Sequence, residues 1–423
     1  MGRTKLRIIF ILIIYIFPFL LFASELEWQA EFRYRLMQDR ITSRDQENTI
    51  NALSTYSLLR SRIFFKLING PVTLNMQLQD SRILGNSVNS PGIANEDQTK
   101  PSFHQVYINV NNIFKRNWII QLGRFHLPLG QQRIFSKNNW NNIGRSFEGF
   151  LTYRNSPKGT LRLFHLINDE RFDKLDNDLY DQTIDGFYFD HSIKRINQFA
   201  GTTIEVYGFR TWMPEERENV IEKNFRTTYG SRLNTSFLFL NLEVEGAFQS
   251  GKISRGNVES FLTAVNLGVI LDFIPIVNSF SIGNEFISGD DESTRLFEGF
   301  AKPFGAGHKW HGYYDYSSHK SFKDNYHVGL KEWNLKAKLS GLLGFNLNAN
   351  YHNFTDAVQG NKFGDELDLI FSRKLPSGGG LVSRLRTILG KWWRRTIRFY
   401  LLNDFFYFVR LLRSSLIKTN IAD

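Results

Sequence analysis

From Leu26 onward the chain alternates. Leu26, Trp28, Ala30, Phe32, Tyr34 and Leu36 form one series, and Glu27, Gln29, Glu31, Arg33 and Arg35 the other. Such a period of two is a strand with one apolar and one polar face. Residues 57–67 repeat it with Arg60, Arg62 and Lys66 on the polar side, and Val72, Leu74, Met76 and Leu78 alternate with Thr73, Asn75, Gln77 and Gln79. Residues 237–249 do so again, Leu238, Leu240, Leu242, Val244 and Phe248 against Asn241, Glu243, Glu245 and Gln249. Further strands are expected over 103–110, 117–123, 147–154, 160–167, 184–190, 202–209 and 225–233.

The connectors alternate too. Those at 37–56, 81–102, 168–183 and 288–323 are long and polar. Those at Asn69-Gly70-Pro71, Asn155 to Gly159, Asn234-Thr235, Ile274-Pro275-Ile276 and 376–380 are short, several with turn chemistry. A β-sandwich alternates in polarity without this rhythm, and a propeller would show a repeat of roughly 40–50 residues. The pattern predicts an all-β fold over residues 25–423: a transmembrane up-and-down antiparallel β-barrel of about 18 strands, with long extracellular loops and short periplasmic turns. Trp28, Phe32, Leu240 and Leu242 are expected to face lipid.

Composition agrees. Aromatics make up 15% of the 423 residues, yet no apolar run after residue 23 is long enough to span a bilayer as a helix. The absence of cysteine excludes thiol catalysis, disulfides, Cys-ligated metals and a lipoprotein anchor. Arg3, Lys5 and Arg7, the apolar run 8–22 and Ala23-Ser24 read as a secretory signal peptide over residues 1–24. Its removal takes the formal net charge from +11 to +8 (11 − 3). The expected address is the outer membrane of a Gram-negative-type cell.

In such a barrel the polar face lines the lumen. Arg33, Arg35, Arg60, Arg62, Lys66, Arg162, Arg226, Arg232 and Lys331 are expected there, with Glu27, Glu31, Glu205, Glu243, Glu245, Glu285, Glu366 and Asp368. The wall is mixed. Cross-strand pairing accounts for most of these charges, and the early strands hold the arginine surplus. The segment 122–149 stands apart, with Arg124, Arg133, Arg145, Trp140, four asparagines and four glycines between two strands. It reads as a long polar loop without a packed core, held by turns at Pro128-Leu129-Gly130 and Gly144, and long enough to fold inward.

That stretch resembles the alginate-export porin family of outer-membrane barrels. The shared elements are Gly123-Arg124, Leu129 to Arg133, Trp140-Asn141 and Gly144 to Gly149; then Ser288 to Asp291, Phe297, Gly307-His308-Lys309, Gly312-Tyr313 and Asp315; then Gly364 to Leu369. The resemblance covers most of 26–374. It implies passive passage of an anionic poly- or oligosaccharide, alginate-like, through an arginine-containing pore. The candidate pore residues are Arg33, Arg60, Arg62, Arg124, Arg133 and Arg145. Arg124 is in phase with lipid-facing Trp118, Ile120 and Leu122, and reaches the lumen only through a bulge at Gly123. Arg133 and Arg145 have a second reading, pairing with Glu148 and nearby backbone to pin the loop. The implied partners are outer-membrane lipid, the polysaccharide and periplasmic export machinery. The alternatives are a porin for other solutes, or a barrel displaying loops as receptor or adhesin.

Two departures stand out. Residues 381–402 mix Leu381, Leu385, Trp392 and Phe399 with Arg384, Arg386, Arg394 and Arg395, fitting a basic amphipathic helix or two distorted strands. A closing strand is expected over 405–412, but the chain ends Ile421-Ala422-Asp423, not on the terminal aromatic usual in this class.

No enzyme signature is present: no GxSxG, HExxH or phosphate-binding loop. The expectation is a non-enzyme without a cofactor and without nucleic acid. Asp290 and Asp291 are the candidate ligands for a structural calcium ion, against the plainer reading of a solvated acidic turn. His308 and His311 near Asp315 read as exposed loop histidines before they read as metal ligands.

Overall fold

The computed structural model describes residues 25–44, 49–85, 100–113, 117–169, 182–193, 199–217, 220–271, 273–313, 328–342, 344–374, 380–389 and 402–409. The signal-peptide reading of residues 1–24 lies outside them, as does Asp315.

Alternation yields strands throughout. They are β1 (Glu25–Arg44), β2 (Thr49–Asn69), β3 (Val72–Gly85), β4 (Ser102–Ile113), β5 (Trp118–Phe125), β6 (Phe147–Ser156), β7 (Gly159–Asp169), β8 (Gln182–Ile193), β9 (Phe199–Arg217) and β10 (Val220–Phe237). There follow β11 (Leu240–Ile253), β12 (Gly256–Ile270), β13 (Val277–Ile287), β14 (Leu296–Phe297), β15 (Leu330–Leu342), β16 (Phe345–Thr355), β17 (Lys362–Lys374), β18 (Gly380–Leu389) and β19 (Leu402–Val409). All 19 belong to one sheet. β14 is a two-residue bridge lying parallel to β12. The other 18 run up and down, each antiparallel to the next. β19 also pairs with β1, from Ala30↔Val409 to Leu36↔Asn403, so first and last strands are neighbours. The fold is an up-and-down barrel, in which backbone polar groups are satisfied strand to strand, as lipid requires.

The usual burial order is inverted. Phe32, Ile63, Leu122, Phe150, Leu163, Leu240, Val265 and Leu335 are exposed on the outer wall, while Arg33, Arg35, Arg60, Arg62, Glu245 and Glu332 are buried inside. Trp28 and Leu242 are half-buried in the same outward phase as Phe32 and Leu240. Lys331 departs from expectation. It is exposed in phase with Trp333 and Leu335, with its ammonium 5.7 Å from the Phe286 ring, so the inward residue is its neighbour Glu332.

Three connectors differ from the sequence reading. The segment 37–56 is mostly ladder, because β1 and β2 run on as paired strands to Arg44↔Thr49. Above the lipid belt, alternating polarity is not required and the periodic signal fades. The hairpin between β10 and β11 turns at Leu238-Phe239, not at Asn234-Thr235, which lie within β10. The first part of the 381–402 segment is neither helix nor distorted. β18 pairs with β17 without a register shift, because Arg384 and Arg386 alternate with Leu385. Residues 390–401 lie outside the described ones.

Candidate functional site

Two long connectors fold into the barrel. The first, 126–146, leaves β5 at Phe125 and returns to β6 at its register partner Phe147. It is not a purely polar loop. Phe125, Leu127, Leu129, Ile134, Phe135 and Phe147 are buried in a cluster with inward-facing Phe164, Ile184 and Phe209. The Phe135 ring lies 4.9 Å from Phe209 and 5.0 Å from Phe304 of the second connector. Burying a Phe side chain contributes about 1.5–3 kcal/mol, enough to draw the loop inward despite its polar residues.

Polar anchors hold the loop at two walls, and close packing at Gly130 meets a third. At β1–β3, Arg33 donates to the Asn139 carbonyl (2.8 Å), the Asn141 carbonyl (3.0 Å) and Asn142 Oδ1 (3.1 Å). Arg35 donates to the Trp140 carbonyl at 3.1 Å and stacks over its ring, 4.0 Å from the centroid. Arg60 bridges Glu31 and the Asn139 and Asn141 carbonyls. Arg62 donates to Asn139 Oδ1 (2.8 Å) and the Ile143 carbonyl (2.9 Å), and also bonds Gln79 and His104. Gly144 permits this approach. Its φ is +83°, and a Cβ there would stand 3.1 Å from Arg62 Nη2.

The second wall is β8–β9. The tight turn at Leu129-Gly130 is closed by Gln132 N–H donating to the Leu129 carbonyl at 2.8 Å. Gly130 has φ +50°, and a Cβ would overlap the Glu205 carboxylate beside Tyr188. The third wall is β11–β13. Arg133, 4% exposed, meets Glu245 at 2.9 Å, Glu243 at 3.8 Å and Glu285 more closely still, with the Trp310 ring 3.7 Å from its Cζ. Burial pulls the Arg133 pKa down, but Glu285, Glu245 and Glu243 outweigh it and hold it above the ordinary value. The loop thus crosses the lumen, from an arginine wall to a carboxylate wall.

The second connector, 288–313, carries β14 and a single turn of helix, α1 (Gly307–Trp310). It locks onto the first: Ser136 N–H donates to the Phe304 carbonyl (2.8 Å), Ala306 N–H to that of Gln132 (3.0 Å), and Lys309 Nζ to Gln131 Oε1 (2.7 Å). Trp140 sits 4.7 Å from the His308 ring and 4.9 Å from that of Tyr313.

The predicted pore residues therefore divide. Arg33, Arg60 and Arg62 come together, buried against the loop. Arg133 lies across the lumen among glutamates. Arg145 donates to the Pro303 carbonyl at 3.0 Å, pinning one connector to the other. Arg124 stands outside the site. The register through Gly123 is unbroken, so Arg124 shares the outer face with Leu122 and forms a half-exposed pair with Glu148 at 2.7 Å.

His308 and His311 are not exposed loop histidines, because the connector that carries them packs inward. His311 is 4% exposed and bonds Glu332 through Nδ1, with Glu285 3.5 Å from Nε2. Glu285, His311 and Glu332 lie close enough to share one cation, but Lys302 already places its ammonium 2.8 Å from Glu285 and in contact with His311. The Asp290, Asp291 and Glu298 carboxylates also lie within 4.8 Å of one another. Each aspartate caps its own turn, Asp290 accepting from Glu292 N–H and Asp291 from Ser293 N–H.

Sequence reasoning missed Glu332, which accepts from His352 at 2.7 Å and from Asn334 at 3.2 Å. The phase of Trp333 and Leu335 would have placed it inside. It also missed His104 and His126, 2.8 Å apart beneath the Arg62 clamp, for which no sequence signal exists. Burial, then the charges of Arg62 and Lys137, lower the His126 pKa to about 3.

A family model described as alginate export matches residues 24–375. The chain belongs to the alginate-export family. Solved structures share its fold. Pseudomonas aeruginosa OpdO is 14% identical with a TM-score of 0.58, over 92% of this chain and 99% of that one. OccK9 (OpdG) of the same organism is 12% identical with a TM-score of 0.59, over 92% and 100%. OccK2 (OpdF), solved in complex with glucuronate, is 12% identical with a TM-score of 0.56, over 93% and 100%. No curated protein sequence matches. This alginate-export family member is an outer-membrane β-barrel of porin type, a channel and not an enzyme. Its outer wall meets lipid and its lumen meets the transported solute.

Proposed function

We propose that the protein gives passive passage to an anionic saccharide of the uronate type, drawn past the arginine wall of β1 and β2. One observation carries this reading. Arg33, Arg35, Arg60 and Arg62 stand on two adjacent strands and converge on the loop segment 139–143. Among the described contacts most of their hydrogen bonds go to neutral carbonyls and amides, which orient a guanidinium without cancelling its charge, and Glu31 is the carboxylate that pairs with Arg60 and lies 4.0 Å from Arg62. Across the lumen, Glu205, Glu243, Glu245, Glu285 and Glu332 face the other way from β9–β15, outnumbering the Arg133, Arg232 and Lys302 cations set among them. Such segregation sets a field across the constriction, and a carboxylated chain follows its basic side. Guanidinium suits the task because its charge is permanent and its fork matches a carboxylate. The glucuronate bound to OccK2 (OpdF), a structural neighbour, and the family's name are consistent with a uronate cargo.

The test is open-channel current in a planar bilayer at low salt, where screening is weak. Oligomers of uronate added to one side should interrupt the current in a concentration-dependent way, and neutral glucose oligomers of equal length should not. Equal block by both would overturn the proposal and leave a porin without charge preference.

A further inference from the structure

The short turns differ around the barrel. Asn69-Gly70-Pro71 and Asn155-Ser156-Pro157-Lys158 are polar and largely exposed, as expected of turns that face the periplasm. The two hairpins at β10–β11 and β12–β13 turn instead through Leu238-Phe239 and through Phe273-Ile274-Pro275-Ile276. Leu238, Phe239, Phe273, Ile274 and Ile276 are 56%, 50%, 74%, 40% and 52% exposed. Soluble surfaces rarely gather large apolar side chains at adjacent sites without a partner.

The backbone sharpens the point. Leu238 and Ile276 have φ of +52° and +77°. Tight turns assign such positions to Gly, Asn or Asp, and a β-branched residue there is an outlier. The chain accepts the unfavourable conformation and keeps an apolar side chain. These turns also lie at the end of a mostly apolar stretch of the lipid-facing wall. Its last three cross-strand rows are Val244↔Val265, Leu242↔Leu267 with Ile282, and Leu240↔Val269 with Phe280. All the side chains just named are apolar, with Asn284 opposite Val265 and Thr235 opposite Leu242 as the polar neighbours in these rows. Phe239 precedes Leu240 directly, and Asp272 stands between Leu271 and Phe273 in sequence.

We propose that the β10–β13 turns are embedded in the inner leaflet of the outer membrane, at the boundary of acyl chains and headgroups, and anchor this sector deeper than the β2–β3 and β6–β7 turns. Continuity with the lipid-facing wall selects lipid as the occupant. An apolar periplasmic protein or a second copy of the chain would cover the tips without requiring that continuity.

The absence of cysteine makes the test direct. Full-length Phe239→Cys, Phe273→Cys and Lys158→Cys proteins are spin-labelled and reconstituted in phosphatidylcholine vesicles. Collision rates with oxygen, which partitions into lipid, and with a water-soluble nickel chelate are then measured. Heat-modifiable migration on gels confirms that each variant is folded, and Ile274→Cys replaces any that is not. The expected result is an oxygen-to-nickel ratio several-fold higher at 239 and 273 than at 158. Nickel access at 239 and 273 equal to that at 158 would place the turns in water and overturn the proposal. Labels shielded from both reagents would overturn it equally, because they would report a second copy.

Discussion

Arg133 is the most demanding group in the lumen. It connects the crossing loop to the carboxylate wall, meeting Glu245 at 2.9 Å and contacting Glu285, and it lies face-on to Trp310. Replacing it with Gln removes two charge-assisted hydrogen bonds, each worth about 1.5–3 kcal/mol, and a desolvated cation–π contact of about 2 kcal/mol. Removing one partner from a buried ion cluster costs roughly 3–5 kcal/mol. The lower end applies, because Lys302 stays 2.8 Å from Glu285 and Arg232 stays 3.5 Å from Glu243. A loss of about 3 kcal/mol raises the open population of the loop roughly 150-fold. The barrel ladder is untouched, so the variant should fold. Hydrogen exchange of amides in 126–146 should accelerate, and single-channel records should show added flicker. Arg133→Lys should fall between, keeping the charge and losing the fork. If Arg133→Gln left both exchange and current noise at wild-type levels, the loop would be held by its aromatic packing and not by this cluster.

Three further outcomes follow from the same geometry. Gly144→Ala puts a side chain in left-handed backbone against Arg62, which should cost about 1–3 kcal/mol and loosen the 139–143 segment, read as faster exchange there with the barrel's heat resistance kept. Arg124→Gln breaks only a half-exposed pair, so a change below about 1 kcal/mol and an unchanged reversal potential are expected. Acidification should undock the loop near His126. Its folded pKa of about 3 lies below the ordinary 6.5, so its contribution is fully present above 6.5 and is lost as pH falls toward 3. At about pH 4.5 the loss is roughly 2–3 kcal/mol. Amide exchange of 126–146 against pH measures it, and His126→Gln should flatten the profile.

Much of the barrel was legible because lipid imposes a strict rule. Where a strand crosses the bilayer every second side chain must be apolar, and Leu26 to Leu36 or Leu240 to Phe248 display that directly. The rule lapses above the membrane, which is why the sequence over the continuation of β1 and β2 to Arg44↔Thr49 reads as loop. It also misleads at Asn234-Thr235, where polar residues that look like a turn lie in the ladder while Leu238-Phe239 form the real one. The loop interior was less legible. Arg33, Arg60 and Arg62 are visible as inward positions, but their partners lie 77 to 109 residues away in 139–143, and no local pattern encodes such a meeting. In sequence Phe135 is one aromatic among many, and only the fold sets it against Phe209 and Phe304.

The arginine wall then has two tasks that ordinary substitutions confound. The same guanidiniums that set the field in the proposed reading also hold the loop by forked bonds to carbonyls. Any neutral replacement weakens both, so a loss of anion preference in Arg60→Gln/Arg62→Gln would not say which mattered. Lysine separates them. It keeps the point charge but offers no planar fork, and it cannot reach Asn139, Asn141 and Ile143 with the bidentate geometry seen here. In Arg60→Lys/Arg62→Lys the reversal potential in a salt gradient should stay near wild type. Exchange in 139–143 should rise on the order of tenfold, as about 1.4 kcal/mol of hydrogen bonding is lost. If selectivity collapsed together with the loop while both charges remained, the preference would reside in the shape of the docked loop and not in the charge of the wall.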